Sequence, residues 1–480
     1  MCGLSGFDPH QTGQPRAAVI LNRADYGKRI CTDLPMSLEL AKRYSTPVPR
    51  YTSYPTAPHF SADVGAATYR AWLAELKPGT RLSLYSHIPF CDELCWYCGC
   101  CTKAVRRYEP VSEYLPSLYA EMEHVAQLLP AEHVVMHNHW GGGSPNILSA
   151  EDILKLADLQ KRLFHWADDA EFAVEVDPRG LDEDRVAAFA RAGVNRVSIG
   201  IQDFDPKVQA AINRKQSFEQ TQRAVEAFRA HGIHSLNVDL VYGLPYQARS
   251  SLQSTLDRVL ELRPTRIAAF GYAHLPERLK HQRLIATASL PDSVERFGQA
   301  SRLARVLTRA GYVRIGLDHF ALPDDPLAQG HLARNFQGYT TDAADALIGF
   351  GASAIGRLPQ GYAQNHPATA EYARRISEDG LATARGIALT DNDRMRAFVI
   401  ERLMCDLTFP AQELRQRFGA QSEEILQEAQ ALLEADQDQL VESDGEAFRV
   451  TDRGRPFVRS IAACFDSYLD NSAARHAPGV

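Results

Sequence analysis

From residue 81 the chain alternates short runs of β-branched and apolar residues with longer stretches whose apolar positions recur at i, i+3 and i+4. The short runs are RLSLYSH (81–87), HVVMHNHWG (133–141), EFAVEVD (171–177), NRVSIGIQ (195–202), HSLNVDLVYG (234–243) and TRIAAFGYAHL (265–275). Each has the length and composition of a strand. Between them, VSEYLPSLYAEMEHVAQLL (111–129), DEDRVAAFARAG (182–193) and SFEQTQRAVEAFRAHG (217–232) carry helical spacing, and several such stretches end in glycine. Strands alternating with helices imply right-handed crossovers and a parallel sheet. Six repeats, where a closed barrel has eight, predict an α/β fold built on a partial (β/α)6 TIM-like barrel.

The flanks read differently. Residues 1–48 have scattered Pro and Gly, no sustained periodicity and one short helical stretch at 37–44, so they form an extension. PRYTSYPTAPHF (49–60) follows, and its tyrosines could pack across a barrel mouth or merely pin the segment down. The barrel domain is expected over 49–365 and includes a Gly-rich stretch, LIGFGASAIGR (347–357). From 366 to 480 the chain is mainly helical, with amphipathic runs at 390–407 and 410–435, then a hairpin turning at Asp444-Gly445. Helices followed by a two-stranded wing resemble a winged-helix module. Asp436, Asp438, Glu442, Asp444 and Glu446 crowd that wing with negative charge, which disfavours DNA and favours a domain that covers the barrel.

Composition narrows the class. With 480 residues the chain exceeds one modest core. Its 52 basic and 59 acidic residues give no electrostatic footprint for nucleic acid or an anionic membrane. No signal-peptide pattern opens the chain and no run of apolar residues is long enough to span a bilayer, so a cytoplasmic protein is expected, monomeric by default. Of nine cysteines, five lie between Cys91 and Cys101. Clustering of that kind reads as metal binding rather than a disulfide framework, with Cys2, Cys31, Cys405 and Cys464 as incidental thiols.

The cysteine segment, SHIPFCDELCWYCGCC (86–101), directly follows the first expected strand, on the face where parallel barrels place their chemistry. Cys91, Cys95 and Cys98 supply three thiolates from one loop. A [4Fe–4S] cluster wants four ligands, so three leave one iron open. Structural zinc would want a second ligand pair, which is not found elsewhere. Cys100 or Cys101 could in principle add a fourth thiolate, at the expense of loop geometry. Gly141, Gly142 and Gly143 end the second strand, where missing side chains let backbone approach a ligand. Glu175, Gln202, Asp239 and Ala273 close strands three to six on the same rim, and converging polar groups at a barrel mouth make a ligand site.

The C-x3-C-x2-C spacing after a barrel's first strand resembles the radical S-adenosylmethionine (SAM) superfamily. YSHIPFC (85–91), CGC (98–100), HWGGGSPN (139–146), EVDPR (175–179), SIGIQDF (198–204), NVDLVYGLP (237–245), YAHLP (272–276), LDHF (317–320), RNFQGYTT (334–341) and CFDSYL (464–469) narrow it. In this order they resemble the oxygen-independent coproporphyrinogen III oxidase family, also called coproporphyrinogen dehydrogenases, over roughly residues 49 to 470. The resemblance implies one SAM on the open iron, with Tyr85, Gly142, Glu175, Ala273 and Ile355 around it. A second SAM would be contacted by Tyr97, Gly143, Ser144, Gln202, Arg214 and Asp239. Ser144 stands where threonine is more usual and keeps the hydroxyl; Arg214, in AINRKQ, would from sequence alone read as a surface arginine.

The implied reaction is oxidative decarboxylation of two propionates of coproporphyrinogen III to vinyl groups, giving protoporphyrinogen IX. A 5′-deoxyadenosyl radical from SAM takes a hydrogen from each propionate β-carbon, and a one-electron donor such as flavodoxin or ferredoxin reduces the cluster. Cys100 matches the family's fourth cysteine, a non-ligand near the substrate, and Cys101 departs from the family's polar residue. Four substrate carboxylates need basic partners, for which Arg50, Arg106, Arg107, Arg314 and Arg334 are candidates. Rival readings are another radical SAM tetrapyrrole enzyme, a SAM-dependent methyltransferase, or a haem chaperone.

Overall fold

The structure is a computed structural model that describes residues 34–469, so Cys2, Cys31 and most of the expected extension lie outside the described residues. Six parallel strands lie side by side in chain order: β1 (Arg81–Ile88), β2 (Val134–Gly142), β3 (Trp166–Val176), β4 (Arg196–Gln202), β5 (Ser235–Tyr242) and β6 (Arg266–Gly271). Their faces differ in chemistry because side chains alternate along a strand. Leu82, Leu84, Val174, Val197, Ile199, Val238 and Ile267 are buried in the main core. On the other face Tyr85 stacks on His139, Ser83 donates to Asp342 and Ser198 donates to Asp239. The barrel therefore has an apolar outside and a polar inside.

The helices α1 (Glu109–Leu128), α2 (Ala150–Leu163), α3 (Glu183–Ala192), α4 (Phe218–Ala230), α5 (Arg249–Leu262) and α6 (Ser293–Arg309) bury the apolar face. Ser149, Asp182, Ser217 and Asp292 cap α2, α3, α4 and α6 by accepting a backbone N–H three residues on. Gly193 ends α3 with φ 91°, a left-handed cap. Among the described residues no helix is long and apolar enough to cross a membrane.

The sheet runs beyond the six expected strands. β7 (Val313–Ile315) and β8 (His319–Ala321) extend it antiparallel from β6. At the other edge β9 (Ala346–Phe350) lies parallel to β1, followed by β10 (Ile355–Leu358), β11 (Gly361–Asn365) and β12 (Thr383–Ala388), giving twelve strands in all. The division expected at 365/366 thus falls inside the sheet. Glycine hid these strands: a Cβ on Gly349 would sit 2.8 Å from the Ile355 backbone, and one on Gly361 would overlap Ile387 O. Glycine there serves close strand approach, at the expense of the β-branched pattern that marks a strand.

After α7 (Thr369–Asp379) the C-terminal body begins with α8 (Asp391–Asp406). Next come β13 (Thr408–Pro410), α9 (Ala411–Phe418), α10 (Ser422–Ala435), β14 (Val441–Ser443), β15 (Ala447–Val450) and α11 (Val458–Ala463). The order is that of a winged helix, with Gly445 at φ 85° in the wing turn. The run expected over 410–435 is two helices, broken at Gly419, whose φ is 57°. Val48, Tyr51 and Tyr54 belong to this body's core. Tyr51 donates to Asp466 at 2.9 Å, the Tyr54 hydroxyl lies 3.0 Å from that of Ser467, and Arg459 donates to Pro49 O at 3.0 Å. The tyrosine segment is pinned to the C-terminal body.

Candidate active site

β1 delivers the cysteine loop to the C-terminal mouth of the barrel, and backbone bonds fix it there. Phe90–Cys91 pairs with Lys103–Ala104, Ser144 N donates to Phe90 O at 2.8 Å and Trp96 N donates to Ile212 O at 2.9 Å. The Thr102 hydroxyl lies 3.2 Å from Cys91 Sγ. Arg179 and Arg214 direct guanidinium N–H groups at Cys95 Sγ, at 3.4 and 3.5 Å. Cys100 N donates to Cys98 Sγ at 3.4 Å.

Hydrogen bonds from Cys100 hold the Cys98 thiol down at about 7 against burial, whereas burial pushes Cys91 up to about 12. Loading Cys91 with metal must therefore displace a proton. Among the described residues no three His, Cys, Asp or Glu side chains converge on one metal ion; a cluster that binds each thiolate through a different iron does not ask them to. Guanidinium and hydroxyl donors aimed at sulfur suit thiolates, so the donor set fits such a cluster.

The glycine run faces this loop. Gly142 has φ 111°, and a Cβ there would overlap the His87 ring; a Cβ on Gly143 would overlap Phe90 O and one on Gly141 would lie 2.7 Å from the Glu175 carboxylate. Only glycine lets backbone, carboxylate and cysteine loop meet. Glu175 accepts from Gly142 N at 3.1 Å and lies 3.0 Å from His139 Nε2. Burial pushes its carboxyl up, but the His139 bond and charge outweigh that and hold it below the usual range. Tyr85 reaches the His87 ring at 3.0 Å.

A second polar group adjoins the first. Arg214 is buried, donates to Gly200 O at 2.6 Å and to Asp177 at 3.0 Å, and so is no surface residue. Burial raises the Asp177 carboxyl, yet Arg214 and Arg179 bring it down to about 2. Gln202 ends β4 at φ 68°, an unusual conformation for a side-chain-bearing residue and typical of strain held at sites. The Ser144 hydroxyl donates to Asn146 at 2.6 Å and accepts from Asp177 N, so it is already tied into the rim. Asp239 accepts from Ser198 and Asn237 at 3.0 and 2.8 Å; burial, then the Glu175 charge, push it up to about 6.

Gln282 links two further positions by donating to both Tyr97 O and Ala273 O at 3.1 Å. Ile355 opens β10 beside Gly349, on the far side of β1. Cys100 and Cys101 are exposed.

Sequence reading gives no role to Asp177, Arg179 and His87, which meet Arg214, Cys95 and the backbone at Gly142. The signal for Asp177 is its place directly after a strand-ending Glu-Val. Of the arginine candidates, Arg50, Arg314 and Arg334 line one cavity together with Arg296 and Arg459, which sequence reading missed; Arg106 and Arg107 are exposed on the cysteine loop.

A three-cysteine loop at the mouth of a partial parallel barrel, opposed by a glycine run and a buried-edge carboxylate, defines the radical SAM class, and residues 85–259 match the Radical SAM superfamily. Residues 389–457 match the HemN C-terminal domain. The chain is 48% identical over 450 residues to the oxygen-independent coproporphyrinogen III oxidase of Bradyrhizobium diazoefficiens, covering 93% of this chain and all of that one. It is 40% identical over 441 residues to that of Escherichia coli K12, covering 91% and 96%. The solved Escherichia coli coproporphyrinogen III oxidase HemN, described as a radical SAM enzyme, superposes with a TM-score of 0.84, covering 88% of this chain and 98% of that one. The chain belongs to the oxygen-independent coproporphyrinogen III oxidase family, and radical SAM membership implies a [4Fe–4S] cluster and SAM.

Proposed function

We propose that this protein converts two propionate side chains of coproporphyrinogen III to vinyl groups, giving protoporphyrinogen IX without oxygen. The observation that carries the reading is the Cys91–Cys98 loop facing Gly141–Gly143 and Glu175 in a chain of this family. Held by Cys91, Cys95 and Cys98, the cluster would supply the electron that cleaves SAM to methionine and a hydrogen-abstracting 5′-deoxyadenosyl radical. Each conversion moves one hydrogen to the adenosyl group, releases CO2 and gives one electron to an acceptor.

The protein's own part is placement and exclusion of water. Glu175, ionised at neutral pH, and the backbone of Gly142 offer an anion and a carbonyl to the amino group of a SAM beside the loop. Tyr85 on β1, Ile355 at the start of β10 and Ala273, two residues past β6, would line that position. A second SAM would meet Tyr97, Gly143, Ser144, Gln202, Arg214 and Asp239, with the Arg214 charge suited to its carboxylate. Cys100, exposed beside Cys98, is left for the substrate side. A flavodoxin- or ferredoxin-like donor, a cytoplasmic setting and a monomer complete the reading.

The test is anaerobic incubation of the iron-loaded protein with a strong reductant, SAM and coproporphyrinogen III, followed by mass analysis. A product lighter by two CO2 and four hydrogens, together with 5′-deoxyadenosine, is expected. Deoxyadenosine without decarboxylation would move the substrate elsewhere, and tight haem binding without turnover would point to a chaperone.

A further inference from the structure

Between the ends of β5 and β6, helix α6, the segment at Arg50 and the C-terminal body at Arg459 lies a cavity of about 100 Å³ that opens to solvent. That is below the roughly 300 Å³ of a site that encloses a whole ligand, and suits the carboxylate ends of a larger one. Among the described residues five guanidinium groups line it, from Arg50, Arg296, Arg314, Arg334 and Arg459, together with one carboxylate, that of Asp318. That carboxylate is engaged by His319 at 2.8 Å and lies 3.9 Å from Arg334. Arg334 is 9% exposed, and its Nε and Nη1 are buried without a hydrogen-bond partner; so is Arg296 Nε. Buried donors without acceptors carry a desolvation cost that an anionic ligand would remove. Burial, then the Arg50 charge, push Arg459 down to about 10, as expected of crowded cations.

The cavity is tied to the reaction rim. Arg50 donates to Gly271 O at 2.6 Å and Arg296 to Tyr272 O at 2.8 Å, on the two residues before Ala273. Arg334 also lines a smaller cavity that reaches Ser83 and Asp342 on the inner face of the barrel. We infer that this arginine cavity binds carboxylates of propionates that are not reacting, and so holds the tetrapyrrole while another propionate faces the SAM site. The assignment rests on the proposed substrate. Turning the ring between the two conversions would exchange which carboxylates the arginines hold.

The test separates binding from turnover. Coproporphyrin III, the stable fluorescent tetracarboxylate, is titrated into the iron-loaded protein and into Arg50→Gln, Arg296→Gln and Arg296→Lys; KM for coproporphyrinogen III and for SAM is measured in parallel. Arg50 is exposed, so its variant tests the cavity even where Arg296→Gln disturbs packing. Each glutamine variant should weaken porphyrin binding and raise the coproporphyrinogen KM at least about tenfold, as loss of one charge-assisted contact would. The SAM KM should stay within about twofold, and lysine at 296 should recover most of the loss. Unchanged porphyrin affinity in both glutamine variants would overturn the cavity assignment while leaving the activity standing. A parent that binds the porphyrin tightly but does not convert the porphyrinogen would overturn the activity and leave the cavity; a parent that does neither overturns both.

Discussion

Glu121 lies fully buried on α1 and anchors the turn that leads into Ile355. It accepts from Gly351 N at 2.7 Å, Asn365 Nδ2 at 2.6 Å and the Tyr372 hydroxyl at 2.6 Å. Burial outweighs these bonds and pushes its carboxyl from 4.5 up to about 7. A raised folded-state pKa means the native protein holds a proton that the unfolded chain has released, so stability falls as pH rises from 4.5 to about 7, then levels off. The full fall attributable to this group is about 3 kcal/mol.

Glu121→Gln removes that titration and introduces a conflict. An amide N–H2 must face either Gly351 N–H or Asn365 Nδ2, both donors, at a cost of about 1–3 kcal/mol. The variant should therefore be less stable than the parent at pH 5 and close to it, or above it, at pH 8. Anaerobic urea unfolding followed by circular dichroism at intervals from pH 5 to 8 reads the gap directly. A gap constant to within about 0.5 kcal/mol over that range would refute the buried, proton-holding carboxyl.

Cys95→Ser removes the sulfur that Arg179 and Arg214 address, and should abolish bound iron, brown colour and SAM cleavage together. Cys101→Ser should keep the iron, because its thiol is exposed and 3.9 Å from Pro367 O; loss of iron there would show four thiolates in the site. Gly142→Ala forces a side chain onto φ 111° and into the His87 ring, so SAM cleavage should collapse, measured as 5′-deoxyadenosine, while iron content stays near the parent's. Normal cleavage in that variant would place SAM elsewhere.

The sequence makes some of these elements plain and conceals others for physical reasons. β1 to β6 announce themselves because their outward residues must be apolar to meet the helices, and the cysteine loop because its three ligands come from one short segment. β9 to β12 do not, since glycines at 349, 356, 361 and 386 accommodate neighbouring backbone instead of displaying a strand pattern. Arg214 reads as a surface residue in AINRKQ because nothing local shows that Asn213, at φ 53°, turns the chain back toward Gly200 and Cys95. Glu121 looks like one more acidic residue on an amphipathic helix; its partners lie about 230 to 250 positions away.

The arginine cavity is the extreme case, since its cations come from five distant places and two folding bodies. Arg50 reaches Gly271 only because the segment before it is held by Arg459 and the one after it by Asp466 and Ser467. Docking of the C-terminal body and placement of Arg50 at the reaction rim are thus one event. Loosening the Tyr51–Asp466 contact should therefore weaken tetrapyrrole binding before it touches SAM, although neither residue lines the cavity.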